Sequence, residues 1–130
     1  MKIRNGFVSN SSSSSFIVLR DALKDKQEEM IIEYQDWIKF FIDRDKNLKE
    51  LFLYYDTDPW KIKVHEDYIF GETSMDNFSI YDYLNYIEVN HEYIKWDEGY
   101  SDYPYQDQLD FIKEAKQKIR KDKIININKK

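Results

Sequence analysis

The sequence predicts an α+β fold: a single domain with three to four helices packed on a small mixed or antiparallel sheet. Three observations carry this. Met30, Ile31, Tyr34, Trp37, Ile38, Phe41 and Ile42 recur at spacings of three and four, the period of an amphipathic helix. Trp60–Val64 alternates apolar and polar residues, and Tyr68–Phe70 follows after a short polar turn, the pattern of a hairpin. Strand-like and helix-like segments then alternate along 130 residues that are 42% hydrophobic, enough for one core.

In chain order, Phe16–Leu19 is a short apolar, β-branched run and reads as a buried strand. Asp25 stands three residues before Glu28, a capping-box-like start for a helix over 26–44. Asn47 and Glu50 repeat the pattern before a short helix over 48–54, which the run Asp56-Thr57-Asp58-Pro59 stops. In the hairpin, Trp60, Ile62 and Val64 face one side and Lys61 and Lys63 the other. His65-Glu66-Asp67 makes the turn, and Gly71 ends the return strand. Ser79, with Asp82 three residues on, starts a helix whose face is Ile80, Leu84 and Ile87. Residues 92–97 alternate again, with Ile94 and Trp96 together. After the acidic loop 98–106, Tyr105, Leu109, Ile112, Ala115 and Ile119 give a last helix. Ile124, Ile125 and Ile127 are expected to form a closing strand. No internal repeat or linker divides the chain; residues 1–15 form a serine-rich N-terminal segment.

Composition excludes several classes of function. There is no cysteine, hence no disulfide, thiolate nucleophile or cysteine-bound metal. No apolar run approaches the about 20 residues of a membrane span, and none of signal-peptide length follows Lys2 and Arg4. A cytoplasmic location is therefore expected, since small secreted domains usually need disulfides. Net charge is -5 but unevenly spread: residues 61–110 carry 3 basic and 12 acidic side chains, residues 111–130 carry 8 and 2. Lys113, Lys116, Lys118, Arg120 and Lys121 sit late in the last helix, where cations complement the helix dipole. Nucleic acid is not the expected partner, because an acidic middle repels phosphate.

The opening segment GFVSNSSSSSF, residues 6–16, is the one low-complexity stretch. Phe7 and Phe16 bracket Ser11, Ser12, Ser13, Ser14 and Ser15. Serine hydroxyls can satisfy nearby backbone groups, so the run can lie extended between its two apolar anchors. It reads either as a lead-in to the first strand or as an address that another protein recognises. The longer stretch MKIRNGFVSNSSSSSFIV, residues 1–18, resembles an N-terminal signature found on many otherwise dissimilar bacteriophage and bacterial proteins. GETSMDNFSIYDYL, residues 71–84, is similar to a stretch in some of them. The resemblance implies a phage or mobile-element setting and brings no catalytic residues.

Side chains that run reactions are scarce. His65 and His91 are the two imidazoles, both placed at turns where a solvated histidine is expected. No Gly-x-Ser-x-Gly elbow accompanies the serines, and nothing in the spacing of His65, Glu66, Asp67, His91 and Glu92 requires a metal. No cofactor and no metal are expected. The acidic, tyrosine-rich loop is more distinctive: Asp97, Glu98, Tyr100, Asp102, Tyr103 and Tyr105 combine rigid contact area with negative charge. The expectation is a non-enzymatic protein that binds a protein partner with a basic surface through this loop and the serine segment. The alternatives are a virion-associated protein addressed by that segment, and a small enzyme using His65 or His91 as base.

Overall fold

A computed structural model describes residues 14–57, 59–74, 77–97 and 106–128, with the backbone alone at 107 and 122–128. Nine elements follow one another: β1 (Ser14–Leu19), α1 (Gln27–Ile32), α2 (Tyr34–Arg44), α3 (Leu48–Leu51), β2 (Lys61–Val64), β3 (Tyr68–Thr73), α4 (Ile80–Tyr86), β4 (Ile94–Asp97) and α5 (Gln106–Asn128). Short 3-10 turns at Arg20–Ala22 and His91–Tyr93 lead out of β1 and into β4. The four strands form one antiparallel sheet in the order β2-β3-β1-β4, so the fold is α+β as expected.

Both faces of the sheet are covered. Phe16, Val18, Ile69 and Ile94 point to one side, where α1 to α4 supply Ile31, Tyr34, Ile38, Ile42, Leu48, Tyr83 and Leu84. Ile17, Leu19 and Phe70 point to the other, against Ile112, Ala115 and Ile119 of α5. This double burial is why β1 reads as an unbroken apolar run rather than an alternating one. Lys116 Nζ reaches Asp67 Oδ2 at 3.0 Å and Lys118 Nζ reaches Glu92 Oε1 at 2.8 Å, so these basic side chains fasten α5 across the sheet.

The expected helix over 26–44 is two helices, because Glu33 leaves helical geometry at φ -109° and ψ 44°. No glycine or proline stands there. Beyond the break, Tyr34 is pinned in the core: its hydroxyl accepts the Trp60 N–H at 2.7 Å and its ring stacks on Phe78 at 5.6 Å. Of the three expected caps, only Ser79 accepts a bond, from the Asp82 N–H at 3.2 Å. Residues 124–127 continue α5 instead of forming a closing strand. No helix breaker lies between Ile119 and Ile124, and extending a formed helix avoids the cost of a new nucleus. Gly71 does not end its strand; β3 runs through it to Thr73.

Candidate functional site

Ser14, Ser15 and Phe16, expected among the contact residues, are the first residues of β1, with exposures of 0%, 2% and 0%. The inner end of the serine run is therefore sheet, not surface. Phe16 lies between Trp60 (5.7 Å, stacked) and Trp96 (5.4 Å, edge-on) as a core side chain. Asp97 ends β4 half-buried, and the register sets it directly beside Ser15. The sheet thus joins the inner ends of the two segments singled out by sequence. Phe7, Ser11, Ser12, Ser13, Glu98, Tyr100, Asp102, Tyr103 and Tyr105 lie outside the described residues.

Both histidines are half-buried rather than freely solvated. His65 Nε2 and both His91 nitrogens are buried with no hydrogen-bond partner. His65 stacks on Tyr68 at 4.5 Å, and His91 lies against Tyr81 at 4.6 Å and Trp96 at 6.5 Å. Burial of His91 holds its pKa below the ordinary histidine value, since the charged ring loses water and gains no acceptor. Neither histidine has the carboxylate contact that would orient it as a general base.

A partly exposed aromatic cluster lies on α2 and α4. Trp37 lies 5.6 Å from Phe40 and 5.9 Å from Phe41, and Phe41 lies 5.2 Å from Tyr86 of α4. Tyr86 in turn meets the buried ring of Phe52 at 5.5 Å, so the rings run continuously from core to surface. Phe40 and Tyr86 keep 44% and 41% of their surface exposed. Two shallow hollows adjoin this patch. One, of about 280 Å³, is lined by Glu29, Glu33, Asp36, Trp37 and Phe40. The other, of about 310 Å³, shares Glu33 and Asp36 and reaches to Ile32, Trp60 and Ile62. The break at Glu33 puts these carboxylates on the ridge between them.

Glu29, Glu33 and Asp36 are exposed and form no ion pair among the described residues. The ring faces already hold cations at two points: Lys26 Nζ lies 5.8 Å from the Trp37 ring and the Arg44 guanidinium 4.5 Å from Phe40. Sequence reasoning placed Trp37 and Phe41 in the core stripe; Phe41 is half-buried and packs against the core, whereas Trp37 is half-buried at the edge of the first hollow. One signal marked the stripe as too wide. Tyr34, Trp37, Ile38, Phe40, Phe41 and Ile42 span more of the helix circumference than a single buried stripe can take.

The fold and this surface together define a small α+β protein with helices on both faces of an antiparallel sheet and an exposed, acid-edged aromatic patch. Compared with known proteins, the chain matches no family model, no curated protein and no solved structure. Among the described residues, no helix is long and apolar enough to cross a membrane.

Proposed function

We propose that this protein works by binding another protein, through the patch formed by Trp37, Phe40, Phe41 and Tyr86. The observation that carries the reading is the pairing of partly exposed rings with three exposed carboxylates that form no ion pair among the described residues. Exposed aromatic clusters cost solvation that a free-standing domain has no reason to bear, and such side chains dominate the centres of interfaces. The acids at the rim select a partner by charge: a segment with apolar anchors flanked by lysine or arginine, which the rings and carboxylates accept together. This reading keeps the basic partner surface expected from the sequence, but sets it against this patch rather than the tyrosine-rich loop. The N-terminal resemblance adds a phage setting, in which such a partner is a host protein.

The test follows the Trp37 indole by NMR while a helical Lys/Leu peptide, or its Glu/Leu counterpart, is added. The Lys/Leu peptide should shift the indole signal, and the Glu/Leu peptide should not. Glu33→Lys with Asp36→Lys should weaken the response at least tenfold with the fold intact. A photocrosslinker at position 40 should then capture one protein in producing cells, and lose it in the doubly substituted form. Equal shifts from both peptides would sink the proposal.

A further inference from the structure

The buried polar residues among the described ones are Ser14, Ser15, Glu72, Thr73 and Gln108, and all five lie at one end of the sheet. β1 begins there, β3 and β4 end there, and α5 starts there. Ser14, Thr73 and Gln108 are not without partners. Thr73 Oγ1 donates to the Pro59 carbonyl at 3.2 Å, and Gln108 Nε2 donates to Asp97 Oδ2 at 3.4 Å. Glu72 differs. It is 1% exposed, and its Oε2 is buried without a hydrogen-bond partner.

The register states what surrounds it. Glu72 of β3 pairs with Ser15 of β1, and Ser15 pairs with Asp97 of β4. The three side chains stand abreast on the face that α5 covers, the face of Ile17 and Phe70. Strand spacing puts the Cα atoms of Glu72 and Asp97 about 10 Å apart, with the Ser15 hydroxyl between them. Register alone places the two carboxylates on the same face, one on each side of Ser15. On its other side Glu72 pairs with Lys61, which is exposed and does not reach Oε2.

A carboxylate oxygen in this position demands a donor or a cation, because desolvated charge without a partner opposes folding strongly. Across the strands Ser15 and Asp97 offer oxygens, and neither imidazole is in register with Glu72. Oxygen donors select hard cations. We infer that this end of the sheet binds one hard divalent cation, Mg²⁺ or Ca²⁺. Glu72 Oε2 is the anchoring ligand, the Asp97 carboxylate the second charge and Ser15 Oγ a neutral ligand. Gln108 orients Asp97 by its hydrogen bond, the usual duty of a residue behind a metal ligand. No group of three or more acids and imidazoles gathers among the described residues. In the proposed site two carboxylates set the charge and water completes the shell, the habit of Mg²⁺ in particular. The role is separate from the aromatic patch: this site lies on the α5 face, the patch on the opposite side of the sheet.

The experiment uses the full chain, stripped with EDTA and dialysed, and measures its melting temperature with MgCl₂, with CaCl₂ and with NaCl of matched ionic strength. Calorimetric titration reads binding directly. One divalent ion should raise the melting temperature by several degrees beyond the salt control, as any ligand confined to the native state does. Glu72→Gln should abolish that rise, and without metal it should melt no lower than wild type, since a neutral amide has no charge to compensate. Asp97→Asn, at a half-buried position, should weaken the response at least tenfold. Three outcomes overturn the inference: no divalent-specific shift or heat in wild type, an undiminished shift in either variant, or a Glu72→Gln protein that melts lower than wild type without metal.

Discussion

Phe16 and Gly71 are the clearest case of one residue dictating another. They are register partners on neighbouring strands, and a Cβ built on Gly71 would stand 2.6 Å from the Phe16 ring. The ring occupies the space where a side chain would be, which lets it reach both Trp60 and Trp96. Glycine is needed here for close approach, not for an unusual dihedral. Gly71→Ala should therefore destabilise the protein by about 1–3 kcal/mol, the usual cost of overpacking a filled core. A lower urea midpoint at unchanged slope would register it. No change in midpoint would mean that the ring moves aside freely. Arg20 is another residue that ties separate parts together. Its guanidinium bonds both Glu28 oxygens, at 2.8 and 3.0 Å, and the His65 carbonyl at 2.9 Å. The hydrogen bond from Arg20 holds the Glu28 carboxyl below the usual carboxylate range.

Among the elements, α4 is bounded by local chemistry at both ends. Ser79 caps its start. At its end, the Val89 N–H bonds the Leu84 carbonyl at 3.0 Å and the Glu88 N–H bonds the Asn85 carbonyl at 3.0 Å. That pair of bonds is a Schellman ending, and Val89 and Leu84 share the core cluster beside it. Glu88 holds the left-handed position at φ 65°, where glycine is the favoured residue. Gln27 Nε2 donates to the Ile87 and Glu88 carbonyls at 2.9 and 3.0 Å and keeps α1 against this end. Glu88→Gly relieves the strained dihedral at some cost in unfolded-chain entropy. A net gain of about 0.5–1 kcal/mol is expected, seen as a higher melting temperature. A lower melting temperature would mean that the Glu88 side chain contributes something the backbone geometry does not reveal. The Ser79 cap could be read from sequence because its partner is three residues away. The ending could not, because it lacks the glycine that usually announces it.

The whole molecule should respond to pH through His91. Burial lowers its folded-state pKa, whereas the unfolded chain takes up a proton near the ordinary value of about 6.5. Between the depressed value and that one, the unfolded state binds more protons, so stability rises with pH across the window. Stability is therefore full above about pH 6.5 and declines as the pH falls below it. Glu28 also loses stabilisation on acidification, but only in the carboxylate range. Urea midpoints at pH 7.5 and 5.5 should differ more for wild type than for His91→Phe, which fills the same slot between Tyr81 and Trp96 without titrating. Equal differences in the two proteins would remove His91 as the cause.

Sequence by itself determined what depends on neighbours along the chain. The α+β class, the hairpin of β2 and β3, the buried strand ending at Leu19 and the cap at Ser79 all follow from periods of two and 3.6 and from contacts three or four residues away. Tertiary structure decided the rest. It broke 26–44 at Glu33 to seat Tyr34, carried α5 through residues 124–127, and left Trp37 half-buried at the edge of a surface hollow although its spacing suits a core. It also drew Ser15, Glu72 and Asp97 abreast from three strands. The physical reason is that burial depends on which surfaces meet. Strand order and register, set by backbone pairing between residues up to 82 positions apart, leave no local trace in composition or spacing.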